Sequence, residues 1–294
     1  MARSHVLLGA GDTAADLTIR RIKVADLKDA LRAGLADFNA MPTHAMFLCL
    51  IYPVVGLLLA RLAFGYSVLP LLYPLVTGFA LIGPLAALGL YELSRRREAG
   101  EPTAVSHAFD VLQSSSIGGI VALGLLLLTI FAIWIGIANA LYVATFGYGS
   151  PASIGAFVND VLTTSAGWNL IVAGNFIGFL FAAVVLTVSA VSFPLMLDRD
   201  VGVAVALLTS VRAVKRNPAT MALWGLIVAA LLLIGSLPLF IGLTVVMPVL
   251  GHATWHLYRK LVVSDGSPRP TQRAGEKGKR SAADFPAVLF PWAK

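Results

Sequence analysis

Charge is scarce in this chain, and almost none of it lies where the chain is most apolar. Only 13% of its 294 residues are Asp, Glu, Lys or Arg, against 58% hydrophobic. Soluble domains run at about 25% charged and about 45–50% apolar, so packing in water is a poor fit. Cysteine is nearly missing: Cys49 stands alone, which excludes an intramolecular disulfide and any cysteine-built metal centre. Six apolar stretches, about 45–64, 68–91, 117–141, 169–195, 220–237 and 239–258, carry almost no acid or base. Intramembrane charges are costly and mark proton relays and ion paths, so their scarcity argues against ion-coupled transport. The second to fifth stretches also lack histidine, which argues against haem–copper chemistry built from histidines on several helices. There is no phosphate-cradling glycine loop, no zinc-protease helix motif and no convincing nucleophile–base pair. Ser114-Ser115-Ser116 reads as a helix end. The expectation is therefore a protein that is not an enzyme.

What is there fits a bilayer. A transmembrane helix needs roughly 20 mostly apolar residues, and each stretch approaches or exceeds that. The chain reads as an all-α membrane protein with six transmembrane helices. Basic residues collect in cytoplasmic loops. Of the 22 Lys and Arg, all but Arg61 fall in the N-terminal segment, the loops after spans two and four, and the C-terminal segment. Both termini are therefore expected in the cytoplasm. The net charge of +7 follows from these loops, and no nucleic-acid partner is expected. The outer loop, about 142–168, has no Lys or Arg. Tyr66, Tyr142, Tyr148 and Trp168 suit the outer interface, and Tyr91, Trp255 and Tyr258 the inner one. Val6–Ala10 is too short an apolar core for a secretory signal, so span one is expected to target the chain.

A short amphipathic helix precedes each pair of spans. Leu27, Leu31, Leu35 and Phe38 share one helical face, as do Val203, Leu207, Val211 and Val214. The offset that carries Leu27 to Val203 also carries Pro42 to Pro218. In the middle copy Val105, Phe109 and Leu112 fit, while Ser116 replaces the proline. Pro84, Pro194 and Pro248 fall late in the even spans. The unit is an interfacial helix followed by two spans, a threefold internal repeat with three short cytoplasmic interfacial helices. Residues 1–22 read as a flexible cytoplasmic N-terminus, 23–262 as the six-span membrane domain, and 263–294 as a disordered basic tail ending in the apolar patch Phe285–Trp292.

The strings GFALIGPLAALGLYELSRRREAGEP (Gly78–Pro102), VSFPLMLDRDVGVAVALLTSVRAVKRNP (Val191–Pro218) and GHATWHLYRKLV (Gly251–Val262) resemble the signature of the integral membrane family called domain of unknown function 2189. The likeness runs from about Arg20 to Val262. It implies a multi-pass protein of the bacterial inner (plasma) membrane and no assigned activity.

Four histidines are candidates for a metal or haem site. His252 and His256, four apart, project from one face of span six; His44 starts span one and His107 lies on the middle interfacial helix. All four are expected at cytoplasmic level, where the simpler reading makes His252 and His256, with Trp255 and Tyr258, amphipathic hydrogen-bonding groups of a helix end. The resting expectation is no cofactor, with haem or a metal ion as the alternative. Glu92, Asp198, Arg199, Asp200, Tyr258 and Arg259 form the candidate functional rim. Gly174 and Gly178 make a GxxxG step for helix packing. Asn139, Asn175, Thr187, Ser189 and Ser192 are expected to bond between helices. The expected partners are the lipid bilayer and another membrane protein or a second copy of the chain. Three functions follow: a scaffold, assembly or lipid-organising protein; a permease or flippase for a small or lipidic substrate, lined by Asn139, Asn175, Thr187 and Ser192; or a haem or metal protein.

Overall fold

The computed structural model describes residues 17–41, 54, 69–149, 151–238 and 240–263. Span one, with His44, Cys49 and Arg61, and the tail beyond residue 263 lie outside them. Among the described residues three helices are long and apolar enough to cross a membrane: α5 (Ile117–Phe146), the path Ser165–Asp198 formed by α7 (Ser165–Ser189) and α8 (Ser192–Asp198), and α10 (Pro218–Ser236). Their outward faces are apolar, with Leu125, Val172, Phe176 and Leu226 exposed. That is the pattern of helices solvated by lipid, which satisfy their own backbone groups.

The stretch expected as span two is a broken helical path. A 3-10 turn at Leu69–Leu71 leads into α2 (Leu72–Phe79), a second at Ala80–Ile82 into α3 (Gly83–Ala86), and α4 (Leu88–Glu98) completes it. Pro70, Pro74 and Pro84 remove backbone donors along this path. The stretch expected as span six forms α11 (Leu243–Leu261). Its second half holds His252, His256, Arg259 and Lys260 and is largely buried, which separates it from the three apolar helices. The turn before it brings Gly242 so close to Gly235 that a Cβ would lie 2.7 Å from the Gly235 carbonyl oxygen.

The interfacial helices dock through small residues. α1 (Val24–Ala40) buries Leu27, Ala30, Gly34 and Asp37 against α11. A Cβ on Gly34 would stand 2.5 Å from the Ala253 nitrogen, so only glycine permits this approach. α9 (Val203–Arg216) buries Val203, Ala206, Ser210 and Ala213, at the same offset from Leu27, Ala30, Gly34 and Asp37. It packs on α7 and α8, where Ser210 donates to the Thr187 carbonyl at 2.7 Å. The expected large-residue stripes lie to one side of these faces: Leu35 is exposed, and Leu31, Phe38, Leu207 and Val214 are partly buried. Met41 (φ −136°, ψ 46°) and Asn217 (φ −131°, ψ 48°) end the two helices in matching conformations, each ahead of a proline that disfavours helix in the residue before it.

The middle interfacial helix differs. Val105–Gln113 is a 3-10 helix packed on α4. With three residues per turn, the buried pair is Ala108 and Val111, while Phe109 and Leu112 of the expected α-helical face are exposed. The three segments expected at the interface thus pack on other helices near the charged end: α1 on α11, Val105–Gln113 on α4, and α9 on α7 and α8.

The N-terminal segment, expected to be flexible through residue 22, is held from Leu17 onward. Ile19 forms an antiparallel bridge with Val262, and Arg20 N donates to the Leu261 carbonyl at 2.8 Å. Asn217 fastens the same segment, accepting from Ile22 N at 2.8 Å and donating to the Arg20 carbonyl at 3.0 Å. Leu17, Ile19 and Ile22 are buried, which supplies the apolar part of the attachment.

Candidate functional site at the charged end

The docking of α1 places an acid inside the protein. Asp37 lies three residues beyond Gly34 on the small-residue face, and only 2% of it is exposed. Four polar groups from two other helices meet around it. Ser94 of α4 donates to Oδ2 at 2.5 Å, the Arg97 guanidinium pairs with Oδ1, and His256 Nε2 lies 2.9 Å from Oδ2. His252 Nδ1 is 2.7 Å from the Ser94 oxygen. The Ser94 hydroxyl has one proton and gives it to Asp37, so His252 Nδ1 is the donor in that contact and carries its ring proton there. His252 is fully buried, and its Nε2 has no hydrogen bond of ordinary geometry among the described residues.

Burial would raise the Asp37 carboxyl. Hydrogen bonds from His256 and Ser94, the charge of His256 and the bond from Arg97 outweigh it and hold the carboxyl below its ordinary value. The site is thus a carboxylate stabilised by a histidine, a hydroxyl and a guanidinium. Its chemistry is that of a clasp: the acid belongs to α1 and every partner belongs to α4 or α11.

Two further networks flank it. Buried Glu92 accepts a two-pronged contact from Arg95, at 2.8 and 2.7 Å, and Arg96 reaches Asp110 at 3.0 Å. Asp198, at the end of α8, accepts from the Tyr258 hydroxyl at 2.7 Å and from Arg259 at 3.1 Å. Arg259 continues to Glu98 at 3.0 Å, and Glu98 accepts from the Trp255 indole, also at 3.0 Å. The Arg199 guanidinium donates to the Val263 carbonyl at 2.8 Å. Lys260 reaches Asp29 and Asp26 of α1 at 3.4 and 3.6 Å. The networks join α4, α8 and α11, and α1 to α11.

Of the expected histidine set, the structure brings His252 and His256 together around Asp37. His44 lies outside the described residues. His107 is elsewhere: its Nδ1 accepts from Ala104 N at 3.0 Å and caps the start of the 3-10 helix. Among the described residues no group of three His, Cys, Asp or Glu has metal-holding geometry, and Arg97 on the free oxygen of Asp37 opposes a second cation there. Of the rim residues, Glu92, Asp198, Tyr258 and Arg259 enter the networks; Asp200 is exposed just ahead of α9. Asp37, Ser94 and Arg97 were not among the residues the sequence singled out.

Gly178 and Gly174 both face α5, with the tighter contact at Gly178. A Cβ on Gly178 would lie 3.2 Å from the Trp134 ring of α5, and one on Gly174 3.7 Å from Leu141. Pro84 starts α3, Pro194 lies in α8 and Pro248 inside α11. The polar groups of the spans are dispersed. Asn175 accepts from Tyr73 at 2.8 Å, and Ser192 donates to the Ala206 carbonyl at 3.1 Å. Thr187 and Ser189 turn back to their own helix. Asn139 lines a cavity of about 220 Å³ at the opposite end, with Leu71, Tyr142 and Tyr148.

Residues 71–198 match the family model described as "Predicted integral membrane protein (DUF2189)", and over this segment the chain is similar to that family. The match spans α2 to α8. It contains Ser94, Arg97, Glu92 and Asp198, while Asp37, His252, His256 and Tyr258 lie beyond its ends. No curated protein and no solved structure matches the chain.

Proposed function

We propose that this integral membrane protein crosses a bacterial inner membrane six times, keeps its charged end and both termini in the cytoplasm, and acts without catalysis as a scaffold, assembly or lipid-organising element. One observation carries the reading: the ionised groups gathered at the rim bond mainly to other helices of the same chain, with Asp37 at their centre. Such a rim is a rigid platform. A catalytic site needs a group aimed at a reacting atom with a partner to move its proton, whereas Ser94 and His252 are enclosed and face Asp37.

The threefold repeat draws support from the way interfacial helices pack. Each sits on the even span of the unit before it, and the first sits on the last, which closes three units into a ring. The matching ends at Met41 and Asn217 and the shared buried positions of α1 and α9 favour two of the three copies. Orientation rests on the basic residues of this end.

Crosslinking of the native protein in its own membrane, with mass-spectrometric identification of what copurifies, tests the role. A stoichiometric protein or lipid companion is the expected result. Transport by the purified protein in liposomes would replace this reading with the permease one, for which the cavity beside Asn139 is the structural motive. A Soret band or stoichiometric metal would replace it with the redox one. Cysteines at Lys215→Cys and Lys279→Cys are expected to resist impermeant reagents in intact cells; labelling of either from outside would invert the topology.

A further inference from the structure

The segment between α5 and α7 contains α6 (Ile154–Thr163). At 3.6 residues per turn, Phe157, Val161, Ile154, Val158 and Leu162 share one side of it. Gly155, Asn159, Thr163 and Asp160 share the other. The apolar side is itself divided. Phe157 turns inward, its ring centroid 6.1 Å from that of Tyr142 and 6.3 Å from that of Phe146. Ile154, Val158 and Leu162 stand open, 38%, 47% and 55% exposed.

The direction of α6 is fixed by its junction with α7. A Cβ on Gly167 would lie 2.2 Å from the Val161 carbonyl oxygen, so the two helices meet closer than any other residue permits. Thr164 caps α7 by accepting from Gly167 N at 3.0 Å, and its hydroxyl donates to the Asp160 carbonyl at 2.6 Å. The Trp168 indole donates to the Leu162 carbonyl at 3.0 Å. α6 is therefore held at the level of the last turn of α5, where that span ends.

We propose that α6 lies in the plane of the membrane surface and seats Ile154, Val158, Leu162 and Trp168 in the boundary between headgroups and acyl chains of neutral phospholipid. Three observations select this occupant. The open edge continues, through Trp168, into the exposed Val172 and Phe176 of α7, which is the lipid-facing surface of a span. Tryptophan favours this depth. The segment 142–168 has no Lys or Arg and its one acid, Asp160, is on the other side of α6, so apolar contact alone does the binding, without the basic face of helices drawn to anionic lipid.

The proposal rests on α7 being a span, and the test separates the two. The full-length protein in a Cys49→Ala background is placed at one copy per phosphatidylcholine nanodisc. Nitroxide labels are attached at Val158→Cys, Asn159→Cys and Val172→Cys, and their accessibility to oxygen and to a polar nickel chelate is measured. The expected result is an oxygen-to-nickel ratio severalfold higher at 158 than at 159, with 172 at hydrocarbon depth. In a Gly167→Leu background the value at 158 should fall towards that at 159. Equal, water-like values at 158 and 159 with 172 in hydrocarbon overturn the proposal. Water-like values at 172 as well overturn the span assignment with it. Protection of 158 found only when two copies share a disc identifies a second copy as the occupant and also overturns it.

Discussion

At the charged end a buried carboxylate ties α1 to α4 and α11, whereas at the opposite end α6 is fastened by a glycine contact and edge-on ring contacts. The first attachment is directional and unforgiving. Removing the acid would leave the buried Ser94 hydroxyl without the acceptor of its proton and take the same acceptor from His256 and Arg97, and an uncompensated polar group costs more than its bond contributes. The second is made of apolar area and close fit, so trimming it loses contacts without stranding a charge. One chain thus uses charge to fix helix order where its basic loops gather, and packing to set helix angle at the end that lacks basic residues.

The most direct way to break this contrast is Asp37→Ala. Removing one member of a buried, hydrogen-bonded set typically costs about 3–5 kcal/mol, so thermal unfolding in detergent should fall sharply and α1 should become protease-sensitive. An unfolding temperature close to that of the parent would show that the carboxylate is not the clasp. Next is acidification. The Asp37 carboxyl is depressed in the folded protein, chiefly because bonds from His256, Ser94 and Arg97 outweigh its burial. Its contribution is complete above the ordinary carboxylate value and is lost as pH falls through the depressed one. Stability followed downward through the acid range should therefore drop in the parent and stay flatter in Asp37→Asn.

Smaller effects sharpen the comparison. Tyr258→Phe removes the donor to Asp198 but leaves Arg259 in place, and a loss of about 1 kcal/mol is expected. Phe157→Leu keeps most of the apolar area and gives up the ring contacts, for about 0.5–1.5 kcal/mol; a loss as large as that of Asp37→Ala would erase the difference between the ends. Lys260→Ala breaks partly exposed pairs with Asp26 and Asp29 and should change stability by less than about 1 kcal/mol.

Apolar length made three long membrane helices legible from sequence, and charge placement made the rim legible. Less visible was how the interfacial helices dock. Leu27, Leu31, Leu35 and Phe38 form the stronger hydrophobic stripe, but Ala30 and Gly34 let backbones approach, and close approach decided the buried face. Asp37 escaped notice because an acid on an amphipathic helix is ordinarily solvated. The signal was its register: three residues after Gly34 and seven after Ala30, on the small face. In the middle copy the i, i+4 spacing of Val105 and Phe109 suggested an α-helix, while Ala108 and Val111 carry the period of three that the fold uses. His252 and His256 were recognisable as neighbours from their spacing. That they face an acid from the other end of the chain depends on α1 packing against α11, which no local pattern encodes.

Hydrogen–deuterium exchange of Val24–Ala40 in the reconstituted protein, in parent and Asp37→Ala, is the measurement closest to this account. Exchange as slow as that of α11 in the parent, and accelerated in the variant while α5 is unchanged, is the predicted outcome. Fast exchange of α1 in the parent, as for a helix resting loosely on the membrane, would contradict it.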